Sequence, residues 1–133
     1  MKYYIDTCIW IDYWENRSDN LRPIGEFAFK FLSNIEEEDE IIYTKLTLTE
    51  LRKFYSEETI LSILSIIKKQ LTFIEYTEDD FNVVKTLIST GLLHKTDALH
   101  ITVARRKDAL FITRDKQILL SGLIKSYMPE DLI

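Results

Sequence analysis

Four carboxylates stand out by their settings. Asp6 closes the apolar run of MKYYID, Asp115 follows LFITR, and Glu50 and Asp97 sit in TLTEL and HKTDALH. The first two come off residues that read as buried strands, and the other two read as acids in an early turn of a helix. Each has a plain explanation alone, because a carboxylate at a helix start accepts hydrogen bonds from free backbone N–H groups and is favoured by the macrodipole. Brought together they would do something else. Two carboxylates about 4 Å apart repel by roughly 4 kcal/mol at an effective dielectric near 20. Protonation relieves that conflict, and so does a divalent cation that prefers oxygen ligands.

The elements that must position these acids follow from periodicity. Residues 2–6 form a strand, and TCIWIDYW after it a short helix, apolar on most sides. From Pro23 to about Glu37, Ile24, Phe27, Ala28, Phe31, Leu32 and Ile35 recur at helical spacing, with Pro23 suited to the first turn. IIYT is a second strand, and LTLTELRKFY and TILSILSIIKK are two helices broken near Ser56. LTFIEY is a third strand. Thr77 and Asp80 then open a helix with a capping-box-like pair, and Gly91 ends it after Ser89. Thr96–Lys107 is a further helix, whose small apolar stripe of Ala98, Ile101 and Ala104 lets it lie close to a sheet and holds Asp97 at the rim. ALFIT is a fourth strand and KSYM a short last one. Strands separated by helices define an α/β domain with a mainly parallel sheet, in which ligands gather at the carboxyl ends of the strands. Asp6 and Asp115 therefore share one edge.

Composition narrows the class. A chain of 133 residues builds one core, so one domain is expected over residues 1–133. The sequence has no basic segment followed by a long apolar stretch and no run that spans a bilayer, which points away from membranes and to the cytoplasm. Cys8 is the only cysteine, which rules out an internal disulfide and a soft-metal ligand set. The net charge of −5 argues against a generic nucleic-acid binder, whose affinity rests on Lys and Arg. It does not exclude a nuclease, because much of the excess acid lies in the single run EEEDE, Glu36 to Glu40.

The acids with their neighbours, Asp6 and Thr7 in YYIDT, Glu50 in TLTEL, Asp97 and His100 in HKTDALH, and Thr113 and Asp115 in FITRD, resemble the PIN-domain family nearly end to end. By length the chain resembles the VapC-type toxin ribonucleases of that family. The resemblance implies a three-layer α/β/α fold around a mainly parallel sheet of four to five strands. It implies that Asp6, Glu50, Asp97 and Asp115 form an acidic site for Mg²⁺ or Mn²⁺, that Thr7 and Thr113 support it, and that RNA phosphodiesters are hydrolysed by metal-activated water. It further implies a homodimer and an antitoxin protein as partner. On this reading Lys45, Arg105, Arg114 and Lys116 are candidates to hold the RNA backbone, against their plain reading as surface charges.

Other residues keep blander roles. Trp10 and Trp14, at i and i+4, read as core or dimer surface ahead of base stacking. His100 reads as a packed or hydrogen-bonded helix residue and His94 as a surface one. Two rivals stand beside the nuclease. A phosphotransfer receiver domain needs a pair of acids after its first strand and an acceptor aspartate after its third. A catalytically silent PIN-like binding or assembly module is opposed by the full acid set.

Overall fold

Tyr4, Ile42 and Phe111 enter one apolar core and Ile5, Ile41 and Ile112 another. This is the period-two alternation of a sheet buried on both faces. In the computed structural model, which describes residues 1–65 and 70–133, that sheet comprises β1 (Lys2–Ile5), β2 (Glu40–Tyr43), β3 (Gln70–Phe73), β4 (Leu110–Ile112) and β5 (Ser126–Tyr127). All neighbours pair in parallel, in the order β3-β2-β1-β4-β5.

Helices cover both faces. Against Ile5, Ile41 and Ile112 lie α1 (Thr7–Glu15), α2 (Ile24–Asn34), α3 (Lys45–Arg52) and α4 (Glu57–Ser65), which contribute Ile9, Trp10, Phe31, Leu32, Leu51 and Ile63. The opposite core takes Val84 from α5 (Glu78–Ser89), Ala98, Ile101 and Ala104 from α6 (Lys95–Arg106), and Ile118 from α7 (Lys116–Ser121). The fold is thus three-layer α/β/α, and its sheet is wholly parallel with five strands. None of the described helices is long and apolar enough to cross a membrane.

Several boundaries differ from the sequence reading, each for a local reason. β3 stops at Phe73 because beyond Ile74, whose N–H still reaches the Tyr43 carbonyl, Tyr76 turns to hydrogen-bond Thr44 and Leu46. The expected run of the second mid-chain helix through Lys69 lies outside the described residues. Pro23 is the N-cap of α2 rather than part of its first turn. A 3-10 helix at Pro129–Leu132 was not anticipated. The capping box of α5 is present: Thr77 Oγ1 accepts from Asp80 N at 3.2 Å, and Asp80 Oδ2 accepts from Thr77 N at 2.8 Å. Trp10 is fully buried while Trp14 is 37% exposed, so the pair does not share one environment.

Topology then picks the place where a site can form. The chain steps outward from β1 to β2 and β3, then returns to β1's other side for β4 and β5. Connections on either side of such a switch point diverge and leave a crevice at the carboxyl ends, here between β1 and β4. The receiver-domain rival fails on this order, because such domains follow 2-1-3-4-5. In this chain β3 is an edge strand, and no acceptor after it could stand at the centre.

Candidate active site

Asp6 is the first residue past β1 and the N-cap of α1. Its Oδ1 accepts from Thr7 N at 2.8 Å and its Oδ2 from Thr113 Oγ1 at 2.7 Å, while its own N–H donates across the switch point to the Ile112 carbonyl at 2.9 Å. Asp115 caps α7, with Oδ1 accepting from Gln117 N at 2.8 Å and Ile118 N at 3.3 Å. The buried Thr113 hydroxyl ties the two together, because it also accepts from Asp115 N at 3.0 Å. Asp97 is the third residue of α6, and its carboxylate has no hydrogen-bond partner among the described residues. Burial pushes its carboxyl above the usual range, and the charges of Asp115 and Asp6 push it further. The structure thus joins Asp6 and Asp115 through Thr113 and places Asp97 near enough for their charges to bear on it.

Glu50 joins from the β2 side. It lies in the last turn of α3, not an early one as the sequence suggested, so the macrodipole works against its charge. Other groups hold it instead: Thr7 Oγ1 donates to its Oε1 at 3.0 Å, and His100 Nε2 lies 2.6 Å from the same oxygen. Burial pushes the Glu50 carboxyl up, but the hydrogen bond and charge of His100, with Thr7 and Lys53, bring it below its ordinary value. Asp6 ends on the other side. Burial raises it and the Glu50 charge adds to that, which the His100 charge and the Thr113 hydroxyl only partly offset.

All four acids offer hard oxygen donors, the chemistry that Mg²⁺ and Mn²⁺ select. Each is fixed by backbone or side-chain contacts of its own, save Asp97. As they stand, no group of three or more His, Cys, Asp or Glu side chains among the described residues is close enough together to hold a metal ion. The donor set fits such an ion in kind, and the mutual repulsion felt by Asp97 is what a cation would relieve. Closing the set around one would require the side chains to draw in.

The basic candidates separate. Lys45 and Lys116 are the exposed first residues of α3 and α7, on the acid edge. Arg105 lies at the far end of α6, about 12 Å along the helix from Asp97 at 1.5 Å per residue. It borders Met1, Asp108 and Leu110 at the amino ends of the strands. Arg114, expected to reach RNA, turns inward: Nε donates to Asp12 at 3.2 Å and Nη1 to Glu130 at 2.9 Å. Its Nη2 lies 2.8 Å from the other Glu130 oxygen, a close ionic contact whose angle does not make a hydrogen bond. Arg22 also pairs with Glu130.

Sequence reasoning passed over Tyr4, Thr44 and Tyr76 behind Glu50, while His100, read as a packed or hydrogen-bonded helix residue, is one, with partners that were not foreseen. Their signals were modest: His100 stands at i+3 from Asp97, so on the same helix face, and Thr44 directly follows a strand, as Asp6 does.

The comparisons with known proteins agree with this architecture. The PIN domain family profile matches residues 3–120, and the chain belongs to the PIN domain family. No curated protein matches it. Among solved structures it is similar to a toxin–antitoxin complex from Klebsiella pneumoniae, at 21% identity and TM-score 0.70 over 96% of this chain and 97% of that one. VapBC-1 from nontypeable Haemophilus influenzae is similar at 19% identity and TM-score 0.72, over 97% and 98% of the two chains. VapBC2 from Rickettsia felis, bound to a DNA fragment from their promoter, is similar at 17% identity and TM-score 0.69, over 96% and 98%. At these identities the likeness is one of fold.

Proposed function

We propose that the chain is a Mg²⁺- or Mn²⁺-dependent endoribonuclease and the toxin of a type II toxin–antitoxin pair. One observation carries the reading: at the switch point the Thr113 hydroxyl joins Asp6 to Asp115, and Thr7, whose N–H binds Asp6, gives its hydroxyl to Glu50. Asp6, Glu50, Asp97 and Asp115 would hold the ion, which when bound supplies a Lewis acid for the phosphoryl oxygens and an activated water. The protein's own part is positioning. Thr113 fixes Asp6 and Asp115 relative to each other, and Thr7 fixes Glu50. Lys45 and Lys116 flank the edge where a phosphate would approach, and their charges would draw RNA toward an otherwise acidic cleft. Arg105 and Arg114 have no such part, one being remote and the other spent on Asp12 and Glu130.

Support for the toxin assignment comes from the fold neighbours, one of them a toxin–antitoxin complex and two of them VapBC assemblies. A cognate antitoxin, a homodimeric state and a cytoplasmic site of action follow from the same reading. The deciding experiment assays RNA cleavage by the purified protein and by Asp6→Asn, with and without chelator. Cleavage is expected to need the divalent ion and to fall at least about 100-fold in the variant, the lower range for a group acting at the reacting centre. Circular dichroism should show the fold retained. Cleavage indifferent to both chelator and substitution would remove these acids from the chemistry.

A further inference from the structure

Behind Glu50 runs a chain of hydrogen bonds. Leu46 N–H donates to Tyr76 Oη at 3.2 Å, and Tyr76 Oη donates to Thr44 Oγ1 at 3.0 Å. Thr44 Oγ1 lies 3.0 Å from Tyr4 Oη, which lies 2.5 Å from His100 Nδ1, and at each of these two links either partner can donate. Whichever way they run, Nε2 carries a proton, because the Glu50 carboxylate only accepts and requires a donor there. Tyr4 and Thr44 are wholly buried and His100 is 2% exposed, so water does not compete for these partners.

The far end of the chain is equally specific. Both Nε2 of His100 and Oγ1 of Thr7 address Oε1 of Glu50, while Oε2 receives no hydrogen bond from any described residue. We propose that His100 is a positioning residue for Glu50: held at Nδ1 by Tyr4, it ties down Oε1 together with Thr7, so that Oε2 is the oxygen left for a divalent cation. The inference rests on the metal-site reading above. It assigns to the β2–α3 side of the site a support that Thr113 gives to the β1–β4 side. A carboxylate in the last turn of a helix has no help from the macrodipole, which is why it needs two donors from other elements.

The test is Mn²⁺ binding, measured by calorimetry and by loss of the free-ion electron paramagnetic resonance signal, on the wild type, His100→Leu, His100→Gln and Tyr4→Phe. Melting curves establish that each variant is folded. His100→Leu is expected to weaken binding about 10–100-fold, the usual cost of removing a group that orients a metal ligand. His100→Gln, whose amide N–H can still reach Glu50, should restore most of the affinity, which a purely space-filling role for the ring would not allow. A folded His100→Leu that binds Mn²⁺ as the wild type does overturns the inference and leaves the metal site standing. Wild-type protein that binds no Mn²⁺ overturns both. Tyr4→Phe removes one oxygen only, the partner of Nδ1, and should weaken Mn²⁺ binding in the same sense; if His100→Leu does not fold, Tyr4→Phe carries the test, and an unchanged affinity there refutes the inference.

Discussion

Asp97 shows what a single residue at this edge costs and provides. It is the one acid of the four whose side chain has no hydrogen bond among the described residues, and burial together with Asp115 and Asp6 holds its carboxyl above the ordinary 3.8. An acid whose folded pKa is raised binds more protons folded than unfolded in the interval between the two values, so stability falls as pH rises through it. The penalty is complete above the folded pKa and absent below the ordinary one. Asp97→Asn should therefore raise the melting temperature at pH 7 in chelator. That gain should vanish when the scan is repeated below the ordinary carboxylate range. Excess Mn²⁺ should reverse the order, because a ligand that binds only the folded state stabilises the wild type and not the variant. A variant no more stable than the wild type in chelator at neutral pH would mean that Asp97 does not feel its neighbours.

Among the elements, α1 and α2 form the closest pairing and depend on a backbone without a side chain. α1 ends at Asn16, whose φ of 49° is left-handed, and the chain returns so that Gly25 N donates to the Arg17 carbonyl at 2.9 Å. A Cβ on Gly25 would lie 2.6 Å from the Asn16 Cα, a backbone atom that cannot swing aside. Gly25→Ala should destabilise by about 3 kcal/mol, at the upper end for overpacking, read as a lower urea midpoint with an unchanged slope. A midpoint shift too small to resolve would mean that α2 rides free of α1. Elements of this kind were legible in the sequence where the pattern was local: the short apolar runs of β1 and β4, the Thr77–Asp80 cap, and the 3.6-residue stripe of α2. Asp6 and Asp115 were legible for the same reason, each adjoining its strand. What could not be read was contact across long sequence separations. His100 meets Glu50 and Tyr4, Arg114 folds onto Asp12, and α3 stops at Arg52 instead of running to Tyr55, which puts Glu50 in a last turn; none of these leaves a periodic trace.

At the scale of the whole molecule, the proposed function requires a chain of net charge −5 to approach a polyanion. The parallel sheet answers by sorting charge between its two edges. Lys45 and Lys116 begin helices at the carboxyl edge beside the acids, whereas Arg105 ends α6 at the opposite edge. Each cation that neutralises a phosphate releases condensed counterions, so affinity for a single strand falls with salt by about 0.7 logarithmic units per contact and per tenfold salt. RNA binding, measured with cleavage blocked by Asp6→Asn and over a series of salt concentrations, separates the edges. Lys45→Ala and Lys116→Ala should each weaken binding across all sequences and flatten the salt slope by about 0.7. Arg105→Ala should leave both unchanged. Equal losses from all three would place RNA around the whole body and not along the edge where β1 and β4 end, and the acids would then no longer mark where the strand is held.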